Sequence, residues 1–216
     1  MYLPAHFRED RLDIQHDLIR AYPLGLLVCV NTRGLEANPI PFVLDSGASH
    51  LGTLKCHVAR PNPLWGDLAS GGECLIVFQG PQCYVTPSWY PTKQQNGRVV
   101  PTWNYATVHA WGRPQVFDDV DWIRGQVEAL TEQQERTMHP PWSVSDAPEL
   151  YIAAQLRGIV GIEIPISRIE GKWKVSQNGN EADRAGVAAG LLAGNDAARE
   201  MSRTIKARSE PGNTES

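Results

Sequence analysis

The stretch VPTWNYATVHAWG, residues 100–112, decides how the rest of the chain is read. Successive side chains of a strand point to opposite faces. Trp103, Tyr105, Thr107, His109 and Trp111 therefore share one face, and Asn104, Ala106, Val108 and Ala110 share the other. One face is bulky, the other small, and neither is a clear water face.

Working outward, this strand extends to about Phe117. After it, residues 118–136 form the clearest helix, with Val120, Ile123, Val127 and Leu130 on one side and acids at its start. A second helix is predicted in SDAPELYIAAQLRG, and residues 159–177 return to strand. Upstream, Asp10 caps a helix that Pro23 ends. The apolar run LGLLVCVN is a strand buried on both faces, and LEANPIPFVLD is its partner. Pro39 and Pro41 remove ladder donors there, so that partner belongs at an edge or carries a bulge. HLGTLKCHV is a third strand, and a short helix follows it, capped by Asn62. ECLIVFQG and QCYVTPSW are read as two strands separated by Gly80 and Pro81, and YPTKQQNGRVV as a polar loop. Beyond Gly179 the chain is Ala-rich and helical, and RSEPGNTES is expected to be disordered. Strands in a run with flanking helices, and no regular βαβ alternation, point to a mainly β fold, an antiparallel barrel with peripheral helices.

The 216 residues suffice for one domain with a real core. The expected division is a barrel domain over residues 1–192 and a helical or disordered tail over 193–216. Net charge is −4, so the totals carry no basic nucleic-acid surface. Cys29, Cys56, Cys74 and Cys83 include no CxxC pair and read as buried free thiols of a reducing compartment. The first ten residues lack the features of a signal peptide, and no apolar run reaches membrane-spanning length. The expectation is a cytoplasmic protein without a membrane partner.

Several chemistries leave no trace. GxGxxG after a strand, GxxxxGK[ST], HExxH and GxSxG are all absent. Cys56 and His57 are neighbours on opposite strand faces, which does not suit a shared metal, and no metal site is expected. What remains is a set of polar residues in aromatic, proline-rich strand ends. HVARPNP places His57, Arg60 and Asn62 where a strand gives way to a helix, a setting for phosphate, or for a surface arginine and a capping asparagine. Ser88, Trp89, Tyr90, Lys93, Thr102, Trp103 and Asn104 lie in two proline-shaped loops. They suit a flat heteroaromatic ring held by stacking and edge hydrogen bonds, or equally a barrel core or a subunit interface.

These segments resemble the PaiB-type FMN-binding negative transcriptional regulators of the split-barrel flavoprotein superfamily. The resemblance is carried by MYLPAHF, HVARPNPLW, VFQGPQCYVTPSWYPTK, VPTWNYATVHAWG, PWSVSDAP, IVGIEIPISRIEGKWKVSQN and ADRAGVAAGL, and it covers residues 1–191. It implies a split β-barrel that dimerises with itself and binds FMN in the groove between subunits. By the same resemblance His57, Arg60 and Asn62 hold the flavin phosphate and Asn38 borders the isoalloxazine ring. Ser88, Trp89, Thr102, Trp103 and Asn104 line the groove, and Lys174, Ser176 and Gln177 of WKVSQN return to the site. Two departures stand out: Cys56 where members commonly have glycine, and Gly179 where they commonly have arginine. In such a dimer the strand at 100–112 needs no water face, and its large side chains are expected in the dimer groove or the barrel core.

Three functions follow. The first is a flavin-binding repressor, for which the acidic chain offers DNA only Arg157, Arg168, Lys172 and Lys174 as a cluster. The second is an FMN-dependent oxidoreductase in which the cofactor does the redox chemistry. There only His57 and His109 stand out as proton-transfer groups, and the catalytic residues are unassigned. The third is a module that carries flavin or haem.

Overall fold

A computed structural model of the chain describes residues 1–209. Strand β1 (Arg8–Glu9) and helix α1 (Leu12–Ala21) lead into β2 (Leu24–Asn31), β3 (Gly34–Pro41), β4 (Val43–Asp45) and β5 (Thr53–Ala59). Then come α2 (Leu64–Ser70), β6 (Cys74–Val85), α3 (Thr92–Asn96), β7 (Thr102–Gly112), β8 (Gln115–Phe117), α4 (Val120–Glu135) and α5 (Glu149–Arg157). The order closes with β9 (Ile159–Lys174), α6 (Glu181–Leu191) and α7 (Asp196–Ala207). The class is mainly antiparallel β with flanking helices, as the sequence implies. The hydrogen-bonded order is β3-β2-β6-β7-β9-β5-β4, with β1 and β8 also paired to β9. The chain forms two compact units, one of residues 12–78 and 109–169, the other of residues 1–11, 79–108 and 170 onward. β6, β7 and β9 run through both.

In the first unit β2 lies antiparallel between β3 and β6, with Leu27 opposite Asn38 and Ile76. β5 lies between β4 and β9, with Leu54 opposite Leu44 and Ile164. β3 ends the order, which is where Pro39 and Pro41 cost least. The expected single strand over 35–45 is in fact β3 and β4. They part at Phe42, whose ring is fully buried edge-on to Phe78 at 5.7 Å. Leu27, Leu54, Ile76, Ile162 and Ile164 are likewise without exposure. Each such side chain contributes about 1.5–3 kcal/mol on burial. Asp119 caps α4 by accepting from the Trp122 amide. Trp122 then stacks on Phe117 at 4.6 Å and covers Gly161 of β9. Ile123 packs with Val144, Ile152 and Leu156. The long strand expected through Phe117 is broken at Arg113 and Pro114 into β7 and β8.

β6 is one continuous strand and not two. The burial of its side chains changes parity at Gly80 and Pro81, both buried, so the strand re-aims its faces without ending. The loop after β6 contains a 3-10 turn, Pro87–Trp89, and the short α3. β1 pairs with β9, Glu9 opposite Gly171. Glu9 is buried and receives the Arg11 guanidinium at 2.9 and 2.8 Å and also that of Arg208 at the end of α7. Burial alone would raise its pKa, but the Arg11 hydrogen bonds and the Arg208 charge hold it below the usual glutamate range. α7 packs on α6, with Ser202 donating to the Ala188 carbonyl at 2.7 Å. The expected tail over 193–216 thus contains a packed helix, while residues 210–216 lie outside the described residues.

A Cβ at Gly161 would sit 2.2 Å from the Trp122 ring. Gly161→Ala is therefore expected to lower unfolding free energy by about 1–3 kcal/mol, read from urea denaturation. Arg208→Met should cost about 1–3 kcal/mol near neutral pH by leaving Glu9 short of a partner. That stabilisation is present above the ordinary glutamate pKa of about 4.3 and is lost as pH falls through the lowered folded value. The gap between Arg208→Met and wild type should therefore narrow in acid.

Candidate functional site

β7 presents its small face to the interior. Asn104, Ala106, Val108 and Ala110 have at most 2% exposure, and the bulky face lies outward, with Trp103 49% exposed and Tyr105, His109 and Trp111 half-buried. Of the two places expected for the large side chains, the interior is taken by the other face.

The start of β7 meets the end of β9 within the second unit, and a cavity of about 270 Å³ opens there. Thr102 and Asn104, two residues apart, face it together with Lys174 and Ser176, also two residues apart. The Lys174 ammonium donates to Thr102 Oγ1 at 2.5 Å and to the Trp103 carbonyl at 2.6 Å. Burial, and then the charge of Lys172, lower its pKa. Asn104 Nδ2 donates to Ser176 Oγ at 2.8 Å, while Asn104 Oδ1 is buried without a partner. Ser176 has φ 65°, a left-handed conformation that a serine adopts at a cost of about 1–3 kcal/mol and that recurs at binding sites.

The far wall comes from the segment leading into α6. Asn180 caps that helix by accepting from the Asp183 amide. The Asp183 carboxylate accepts from Thr92 Oγ1 at 2.7 Å, the Thr92 amide at 3.2 Å and Asn180 Nδ2 at 2.9 Å. Arg184 donates to the Gly179 carbonyl at 2.9 Å, and its Nε is buried without a partner. Tyr90 completes the lining, its hydroxyl pKa raised by burial and by Asp183. Trp89 lies on Gly186 and Gly190, where a Cβ would meet it at 2.2 and 2.4 Å, and this holds α6 in place.

Of the residues singled out in the sequence, Tyr90, Thr102, Asn104, Lys174 and Ser176 converge on this cavity. Ser88, Trp89, Trp103 and Gln177 are in the same unit but do not line it. Ser88 Oγ accepts from Lys93. Trp103 donates to Gln82 at 3.1 Å and sits edge-on to Tyr84. Gln177 accepts from the Val175 amide and donates to the Trp173 carbonyl, closing the end of β9. Asn38, His57, Arg60 and Asn62 belong to the other unit. Asn38 donates to Glu36 at 3.2 Å, and His57 Nδ1 lies 2.6 Å from Gln126 Oε1. Asn62 Oδ1 accepts from the Leu64 amide, the capping role that its type suggests. Arg60 binds both Asp118 oxygens, at 3.0 and 2.5 Å, and the carbonyls of Arg157 and Ile159. A phosphate there would have to displace a carboxylate. Asp183 and Arg184 went unread in the sequence, although Asn180 and Asp183 at cap spacing marked the helix start that carries them.

FMN joins a flat tricyclic ring to a hydroxylated chain that ends in phosphate. Pockets that enclose a whole ligand of that size run to about 300–1,000 Å³. The cavity at Lys174 is smaller and polar, and the Lys174 ammonium in its wall suits an anionic or hydroxylated group better than an apolar ring.

Residues 1–168 match a family model described as "Putative FMN-binding domain". An uncharacterized protein of Emericella nidulans is 36% identical, over 97% of this chain and 98% of its own length. The Bacillus subtilis protease synthase and sporulation protein PAI 2 is 27% identical, over 87% of each chain. Among solved structures, the flavocytochrome Anf3 from Azotobacter vinelandii superposes with TM-score 0.60 at 11% identity, over 78% of this chain and 69% of that one. The FAD and heme binding protein from Mycobacterium smegmatis gives 0.57 at 18%, over 77% and 72%. At these identities the likeness shows the fold alone, mainly antiparallel β with flanking helices.

If Arg60 serves to hold Asp118 and the start of β9, Arg60→Ala and Asp118→Ala should lower the thermal midpoint to a similar degree. The double variant should fall little further than the worse single one, a coupling that a thermal-melt double-mutant cycle reads directly.

Proposed function

This chain belongs to the FMN-binding domain family, and we propose that it works as a homodimeric, cytoplasmic flavoprotein with a regulatory role exercised through its bound flavin. The observation that carries the reading is the family match, which includes the whole of β7. The outward, half-exposed row on β7 supports it, because aromatic surface of this kind is what flavin rings and subunit interfaces cover. Trp103 is assigned to the ring-binding side of the groove, with Ser88, Trp89 and Asn38 as its neighbours across the dimer. Bound FMN supplies hydride or electron transfer, and the chain supplies position and electrostatics.

Direct repression through DNA has little to stand on. Of the basic cluster seen in the sequence, Arg168 lies over the Trp111 ring at 3.6 Å. Lys172 is buried and donates to the Tyr2 carbonyl, and Lys174 is turned into its cavity. Side chains so engaged do not form a phosphate-tracking stripe. Regulation through a flavin-dependent partner, or an FMN-dependent oxidoreductase activity, suits the charge better.

The purified chain is expected to quench the fluorescence of added FMN at one flavin per protomer and to run in solution at twice the chain mass. Trp103→Ala should weaken FMN by about tenfold, the worth of one stacking contact of 1–3 kcal/mol. A monomer that leaves FMN fluorescence unchanged would overturn the reading. Retardation of promoter DNA at physiological salt would restore direct repression.

A further inference from the structure

We propose that the outer face of β2, β3 and the start of β6 is the surface on which two copies of this chain meet. The proposal rests on the homodimeric reading and gives that dimer its contact. None of the side chains involved is among those that the resemblance gives to the flavin.

The register defines the face. Residues opposite each other in an antiparallel ladder project to the same side of the sheet. On the side away from the core, four such pairs run along β2 and β3, from Leu24 opposite Pro41 to Val30 opposite Leu35. β6, on the other flank of β2, adds Leu75 and Val77. All ten of these side chains are apolar, and all lie in the first unit. Leu35, Val30 and Leu24 are 80, 72 and 64% exposed. The same strands present Leu27 and Ile76 to the core without exposure. A strand apolar on both sides suits a place covered on both sides, and the chain itself covers only one.

Three features favour a second copy as the cover. The first is charge. The face has none, so a two-fold copy of it meets no like charge and buries no unpaired ion, which is the self-complementarity that an isologous contact requires. The second is extent. Outward positions on a sheet are spaced by about 4.8 and 6.8 Å, so ten of them cover roughly 330 Å² in projection. That suits the apolar centre of an interface that takes about 800 Å² from each partner. A polar rim bounds it at the turn between β2 and β3, where Arg33 binds Glu36 and Asp67, each at 2.8 Å. Next to β6 stands β7, whose outward His109 and Trp111 carry the surface on into the aromatic row. The third is the edge. Pro39 and Pro41 blunt β3 against pairing with another strand, which directs the contact to the face of the sheet and not to its end.

Sedimentation equilibrium on the full chain decides the matter, with wild type compared with Leu26→Lys and Ala37→Glu at the middle of the face. Both side chains are exposed in the single chain, so the protomer has room for the substitutions, and circular dichroism confirms each fold. Wild type is expected at twice the chain mass. Each variant should raise the dimer dissociation constant by about a hundredfold or more, because a two-fold contact buries the new charge twice. The pair Leu26→Thr and Ala37→Thr, residues at home in strands, stands in for a charged variant that does not fold and should raise it about tenfold. A wild-type dimer that these variants leave intact overturns the surface while the homodimeric reading stands. A monomeric wild type overturns both, and its flotation with phosphatidylcholine vesicles would give the face to lipid instead. A dimer that binds no FMN but falls apart in the variants sinks the flavin reading and leaves the surface in place.

Discussion

Asn104, Ala106, Val108 and Ala110 occupy the interior side of β7 with almost no exposure. Strand geometry then leaves Trp103, Tyr105, His109 and Trp111 no place but the outside. This parity arranges much of the rest. The same parity turns Thr102 and Asn104 towards Lys174 and Ser176 at the end of β9. A shift of register by one residue would drive the tryptophans inward and expose the alanines, so the register is strongly fixed.

The strands and helices were legible wherever periodicity was strong, as in α4 and β9, whereas the apolar run of β2, read as buried on both faces, buries only one, with Leu24, Leu26 and Val30 exposed on the other. The sequence misled where one local signal was taken for a boundary. Gly80 and Pro81 looked like a turn between two strands, but both are buried and β6 passes through them with a change of parity. Phe42 looked like the middle of a strand, yet as a core residue it separates β3 from β4. Arg113 and Pro114 did break the strand that had been drawn through them. In each case tertiary packing outweighed the local pattern.

The site was legible in residue type more than in role. Thr102, Asn104 and Lys174 were chosen for chemistry and do meet. Arg60 was chosen for phosphate, but its donors are committed to Asp118 and two carbonyls, partners too distant in sequence to be foreseen. Arg184 was missed because a helix surface arginine carries no signal by itself. Only the fold brings it into the lining of the cavity that Asn104 also faces. The four cysteines are free and all but Cys83 are buried. Burial pushes the Cys74 thiol up to about 12 and that of Cys83 to about 11, which disfavours their reactive thiolate forms.

The account comes down to an outward aromatic row on β7 that a flavin and a second copy of the chain would cover. A crystal structure of the protein grown with FMN tests this most directly. The expected result is a two-fold dimer with the isoalloxazine ring against the Trp103 side of β7. Flavin bound elsewhere, with that row left open to solvent, would contradict it.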